Sequence, residues 1–525
     1  MKHIIKYLYL FVLIFAAENL FSDEIEEVIV TADYRNTELN KEDSSIFVLD
    51  TEEIKAQPIK HFENLSYLVP NLNFAASDSR ARYFQIRGIG ERSGYLGTPN
   101  TSVGFLIDDI DYSGQAGIAT TFDVEQIEIF NGPQGSRIGA NALAGLIYIK
   151  TKDPTDEFEG TSEITYGNYN TLSTGLAFGG PLTENKNIKF RLALRKDDTD
   201  GFRENLYLNR SDTSRKDETT ARLKIDFELD NKTNAKVLLS QVDMDDPADI
   251  WTIDGSLNTL SDRPGMDSQK TDTFGLKVLR ANRYNQFESL TSTTDTDVVF
   301  SYDADWGNAD SHAPYTYDYF SETLRARESF SQEFRFVSNE KYKAERLPFD
   351  WVVGISYLKL DETNDRQDDG IYGDPNDPFS PYTSLTTSKS DYSSTNISIF
   401  GNIDYEFSAF TKLSVGLRME DWSAKYFDSS NERFSPSDSM MGGKASLNHS
   451  FKDGMNIFAN YAKGYKQGGF NVGLGLLDGT TSSDLEYDPE FLTNYEIGMD
   501  LSVSDKTDLR IVGFYSERTD QQVLI

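Results

Sequence analysis

The 525-residue chain contains no cysteine. Disulfide scaffolds, thiolate metal centres and thiol nucleophiles are therefore excluded. Histidine is nearly absent too, with only His3, His61, His312 and His449. No His-Glu-x-x-His pair, phosphate-binding loop or Gly-x-Ser-x-Gly elbow occurs, so the chain is not expected to be an enzyme or to need a cofactor or resident metal. Positive charge is in deficit: 51 Lys and Arg face 85 Asp and Glu, a net charge of −34. That balance argues against nucleic acid as a partner. Beyond the N-terminus no apolar run reaches the length of a membrane helix. If the chain meets a membrane it must do so as a closed β-barrel, because only helices and barrels satisfy their backbone in lipid. Proline is sparse (15) while Phe (34) and Tyr (28) are abundant, a mixture that suits many strands joined by polar loops.

What is present is organised around residues 124–154. Val124 to Phe130 alternates as a half-buried strand does. Asn131-Gly132-Pro133-Gln134-Gly135 follows, then Ser136 to Gly145. Glycine permits close backbone approach and Pro133 fixes φ, so this is a specified turn rather than a linker. Leu146 to Lys152 is a second strand, closed by Asp153-Pro154. The pattern alone fits a hairpin in a soluble α+β domain equally well.

From about Phe158 onward, strand-length stretches alternate with period two. Ile188, Phe190, Leu192 and Leu194 alternate with Lys189, Arg191, Ala193 and Arg195; Leu413, Val415, Leu417 and Met419 alternate with Lys412, Ser414, Gly416 and Arg418. Such strands belong either to a soluble sandwich or to an outer-membrane barrel with its apolar face toward lipid. Short connections (Phe407 to Ala409, Lys452 to Gly454) contrast with long ones expected at Asp243 to Thr273, Asp361 to Ser394 and Gln467 to Thr493. Two acidic clusters, Asp243, Asp245, Asp246 and Asp249, and Asp365, Asp368, Asp369, Asp374 and Asp377, lack calcium-loop spacing and read as solvated loops.

Met1 to Ser22 has the charged start and apolar centre of a secretory signal. An acidic run then leads into a short extended segment, Glu27-Val28-Ile29-Val30-Thr31-Ala32, suited to adding to another sheet edge. Asp50 or Thr51 starts a helix, and a second is expected over His61 to Leu68, before Pro70. Phe84-Gln85-Ile86-Arg87-Gly88-Ile89-Gly90 is a strand entering a glycine turn; Ser93 breaks any dinucleotide-binding pattern.

The wording of residues 124–152 closely resembles the end of the plug domain of TonB-dependent outer-membrane receptors. Phe330 to Phe336, Tyr461 to Asn471 and Asn494 to Gly498 resemble barrel strands of the same family, so the resemblance covers nearly the whole chain. It implies a mainly β fold, a transmembrane antiparallel β-barrel with an N-terminal α+β plug inside. The divisions would be a signal peptide (1–22), an energy-coupling box and linker (23–35), the plug (36–154) and the barrel (155–525). The box, Glu27, Val28, Ile29, Val30, Thr31 and Ala32, would be gripped by the inner-membrane TonB complex. Binding of a scarce solute, a ferric siderophore first, would lead to energised import across the outer membrane of a Gram-negative bacterium. A vitamin or glycan importer and a passive surface receptor or adhesin are the alternatives; substrate-binding residues are not assigned. Gly132, Pro133 and Gly135 form the plug turn. The resemblance further implies a latch between plug arginines and barrel glutamates: Arg87 matches the first arginine, Glu496 is its expected partner, and Asn131 stands where the family has the second, so that the latch is either weakened or completed by another charge such as Arg137. With roughly sixteen strand candidates against the family's twenty-two-strand barrel, the chain is expected to be incomplete at its C-terminus, a smaller natural barrel being the alternative.

Overall fold

The computed structural model describes residues 29–523 apart from 31–33, 36, 40–41, 58, 76–78, 93–97, 452–454, 473–484 and 505–506. The secretory signal, box residues Glu27, Val28, Thr31 and Ala32, and the turn Lys452 to Gly454 lie outside the described residues. No helix among those described is long and apolar enough to cross a membrane.

The N-terminal unit is built on a five-stranded sheet in the order Ile46–Asp50, Val124–Asn131, Gly145–Thr151, Val103–Ile107, Ile110–Asp111. Only the pair of Gly145–Thr151 with Val103–Ile107 is parallel. The helix Thr51–Ala56 starts at Asp50, whose carboxylate accepts from Glu52 N and Glu53 N at 2.8 Å while Glu53 returns a bond to Asp50 N, a reciprocal cap. The second expected helix is instead a 3-10 turn, Phe62–Tyr67. Its first turn closes by Asn64 N donating to His61 O at 3.1 Å, an i→i−3 bond, while the Asn64 side chain accepts from His61 N. Phe62, Phe84 and Phe105 meet edge-on and stacked at 4.9 to 5.8 Å at the centre of the core. The strand Val124–Asn131, expected to be half-buried, is buried on both faces. Ile127 and Ile129 enter the main core, whereas Phe130 packs with Val30, Val48 and Leu146.

Around this plug runs one large antiparallel sheet, a path of fifteen strands from Glu159–Tyr166 to Thr507–Thr519, with the short strand Arg433–Phe434 attached. Its two outermost strands, Glu159–Tyr166 and Thr507–Thr519, are not paired with each other. Alternation sets the orientation. Phe334, Ile355, Ile399, Met419 and Met441 occupy one cross-strand row and are all 43 to 58 % exposed. The adjacent row, Arg335, Gly354, Phe400, Arg418 and Gly442, points inward, with Arg418 only 6 % exposed. Lipid-facing rows are apolar and lumen-facing rows charged, the inverse of a soluble domain.

The longest strands, Phe349–Gly373 with 25 residues and Tyr382–Ser408 with 27, far exceed the roughly 9–11 residues that cross a bilayer. Two stretches expected as long loops are largely strand: Phe349–Gly373 and Tyr382–Ser408 pair throughout and leave only 374–381 as their connection. Likewise Thr233–Ala248 and Gly265–Ala281 leave 249–264, and the strand Glu490–Ser504 takes up the end of the third loop. Polar residues on both faces conceal such strands from periodicity but do not prevent backbone pairing in water.

Candidate functional site

The glycine-rich turn is where plug meets wall. A Cβ on Gly135 would stand 2.9 Å from Lys463 O and 3.0 Å from Gly464 Cα; one on Gly464 would stand 2.8 Å from Pro133 Cβ. Main chain therefore lies directly on main chain, which only glycine allows. Gly132, at φ +96°, brings the turn to within reach of Asn494 and Arg87.

Arg87 itself has φ +53°, an uncommon conformation for a side-chain-bearing residue, and is followed by Gly88 at +79°. Reciprocal bonds between Ile86 and Ile89, both 3.0 Å, close this turn. It aims the guanidinium at the wall, where Nη2 donates to Glu496 Oε1 at 3.2 Å, both side chains being buried. The guanidinium also lies 3.8 Å from the centre of the Phe514 ring, and Asn494 Nδ2 donates to Glu496 Oε2 at 3.1 Å. The two residues singled out in the sequence are thus together. Asn131 stays within the plug, its amide donating to Ser45 Oγ at 3.3 Å. Arg137 forms no ion pair among the described residues; its guanidinium faces the Tyr34 ring, and its carbonyl accepts from Arg418 Nη1.

Of the box, Ile29 and Val30 are described. They form a two-residue antiparallel pairing with Thr37–Glu38, and Gln126 Nε2 donates to Ile29 O at 2.7 Å. Val30 is fully buried beside Phe130 and Leu146. Just beyond the box Arg35 reaches the wall: Nη1 donates to Asp404 Oδ2 at 2.8 Å and Nη2 to Trp351 O at 2.6 Å. Tyr34 stacks on Phe400 at 5.5 Å.

Three further plug–wall ties carried no mark in the sequence. Lys466 Nζ donates to Glu91 Oε1 at 2.7 Å, with Ser102 completing the carboxylate's bonds. Arg510 donates to Ile46 O and Leu39 O, both at 2.9 Å. Lys444 donates to Asp43 at 3.2 Å; burial alone would raise the Asp43 carboxyl, and Lys444 with Lys412 brings it well below the usual carboxylate range. One acid among 85 offers no contrast, so Glu91 and Asp43 become visible only through their partners.

The acidic clusters are paired in part. Asp245 meets Arg215, Asp246 meets Lys216, and Asp249 is buried among Asn205, Thr259 and Ser261. Asp365 and Asp369 meet Lys389 and Arg263. Among the described residues no group of three or more His, Asp or Glu is arranged to hold a metal.

The family described as TonB-dependent Receptor Plug Domain matches residues 38–146, and that described as TonB dependent receptor-like, beta-barrel matches residues 148–525. The chain is 20 % identical over 530 residues to the pesticin receptor of Yersinia pestis, covering 97 % of this chain and 72 % of that one. It is 24 % identical over 159 residues to the ferripyoverdine receptor of Pseudomonas aeruginosa, covering 30 % of this chain and 19 % of that receptor. The match to the ferric enterobactin receptor PirA of the same organism spans 24 % of that receptor's length. Among solved structures, the ferric yersiniabactin uptake receptor FyuA from Yersinia pestis superposes with a TM-score of 0.75 at 17 % identity, covering 92 % of this chain and 73 % of that one.

Proposed function

The chain belongs to the TonB-dependent receptors of the Gram-negative outer membrane, and from that membership we propose that it imports a scarce solute, a ferric siderophore first, by TonB-driven displacement of its plug. The observation that carries the proposal is the state of the box. Ile29–Val30 is held by a two-residue strand pairing, one side-chain bond from Gln126 and one buried valine. Such a segment is docked yet separable, and an extended partner strand can replace its pairing. The named substrates of the ferripyoverdine, enterobactin and yersiniabactin receptors support an iron chelate as the solute. Arg87–Glu496 serves in this reading as the plug–wall latch.

The test is uptake by cells expressing the protein, wild type against Ile29→Pro, with labelled ferric siderophores, cobalamin and oligosaccharides. Proline removes a backbone donor that strand addition needs. Entry of an iron chelate that Ile29→Pro abolishes, with surface binding retained, is the expected result. Uptake indifferent to the substitution would exclude energised import and leave the passive receptor.

A further inference from the structure

The plug touches the wall along two unlike seams. At one seam the turn 132–139 packs on the strands Thr411–Asp428, Ser437–Ser450 and Met455–Lys466, main chain to main chain where Gly135 meets Gly464 and Gly442. Ser136 Cβ would be 3.3 Å from a Cβ at Gly416, and the cavity beside this seam measures only about 10 Å³. Next to it the hairpin Ile107–Ile110 faces the strands Lys216–Asp230, Thr233–Ala248 and Gly265–Ala281 across a cavity of about 200 Å³, which Arg137 and Ile138 at the end of the turn also line. A second, smaller cavity lies along the same strands and shares Leu238 with the first.

The contacts differ in kind as well. Asp108 and Asp109, both at positive φ, hold the hairpin tip toward wall lysines: Lys224 donates to Asp108 at 3.0 Å and Lys277 to Asp109 at 2.7 Å. Lysine is a flexible point charge that can change partners, and Lys224 already shares itself with Asp153 at 3.0 Å. Between the lysines the wall presents apolar Leu238 and Val242 to the plug core. Apolar contact is non-directional, and atoms lining a void lack partners on one side. At rest the larger cavity, about 200 Å³, has room for several waters. Farther along the same strands Arg80 pairs with Glu218, and Arg82 and Ser79 meet Asp267.

We propose that the solute crosses along the lysine-lined seam, between the plug hairpin Ile107–Ile110 and the wall strands 216–281, while the glycine seam and the Arg87–Glu496 pair remain closed. The inference rests on the import function above. Opening requires the Asp108 and Asp109 pairs to part, together with those of Arg80 and Arg82. Parting the glycine seam would separate packed backbone and the buried Arg87–Glu496 pair.

A chain without cysteine lets the two seams be locked separately. Ile110→Cys with Gly275→Cys ties the lysine seam, where a Cβ on Gly275 lies 3.9 Å from Ile110 Cγ1; Ser136→Cys with Gly416→Cys ties the glycine seam. Labelled ferric enterobactin, pyoverdine and yersiniabactin are the probes. Oxidation of the first pair is expected to lower uptake at least tenfold, reversibly on reduction, with surface binding unchanged. Oxidation of the second should leave uptake within twofold. A solute-independent readout uses single substitutions: Gly275→Cys should react at least tenfold faster with a bulky water-soluble maleimide in energised cells than in cells treated with a protonophore, and Gly416→Cys should not. Locks of equal effect, or equal acceleration or none at both cysteines, would overturn the assignment. Uptake by the reduced pairs that ignores Ile29→Pro would instead refute the import reading itself.

Discussion

Ile147 and Ile399 are the same residue in strands of the same protein, yet one is wholly buried and the other is 58 % exposed. In the plug, isoleucine fills a core against Ile127, Ile129 and Phe105. In the wall it faces outward between Ile355 and Met419. The charges are reversed to match: Arg418 lies inside the wall on Glu420 at 3.1 Å. Plug and wall obey one rule, that apolar surface leaves water and charge finds a partner, with the apolar medium inside one and outside the other. Where the two meet, neither polarity suffices alone, and glycine backbone, ion pairs and the apolar wall residues Leu238 and Val242 share the interface.

The sharpest way to break that meeting is to leave one of its charges alone. Glu496→Ala strips Arg87 of its carboxylate while Arg87 stays buried against Phe514, so a loss of about 3–5 kcal/mol in plug stability is expected. Glu496→Gln, which keeps an acceptor, should lose less. Urea unfolding followed by proteolysis of the plug reads both. Next comes the comparison itself: Ile147→Ala should cost about 2–5 kcal/mol by opening a cavity. Ile399→Ala, refilled by lipid, should cost well under half of that in the same assay.

The plug should also carry a pH signature that the lipid-facing rows lack. His61 is buried, and burial first, then the neighbouring Arg80, pushes its pKa down to about 4. The unfolded imidazole, near 6.5, takes up protons that the folded one refuses. Its contribution is therefore complete above pH 6.5, falls between 6.5 and 4 by about 3 kcal/mol, and is gone below that. Plug unfolding midpoints measured from pH 7.5 to 4 should show this slope in the wild type, and His61→Gln should flatten it.

Much of this division was legible in the sequence. Period-two alternation in Leu413 to Met419 marks which face is apolar, and the Gly-Pro turn marks the plug's contact with the wall. Arg87 and Glu496 could be paired in advance only through the family resemblance, since the ion pair joins residues 409 positions apart. Alternation cannot say which face is inside, nor detect strands polar on both faces, and so 361–373 and 382–394 read as loop. The ties of Arg35, Asp43 and Glu91 arise because wrapping the wall around the plug places Asp404, Lys444 and Lys466 beside them, and no local pattern encodes that.

The smallest expected effect separates packing as a solid from packing against a fluid. Ile129→Leu conserves volume but moves a methyl group within a core where every neighbour is fixed, and about 1 kcal/mol should be lost. Ile399→Leu makes the same change where lipid chains rearrange to fit, so no measurable loss is expected. Thermal melts of the two variants against wild type decide it. Equal losses would mean that the outward row Phe334, Ile355, Ile399, Met419 and Met441 is packed against a fixed partner rather than lipid, and the polarity contrast between plug and wall would fail at its first premise.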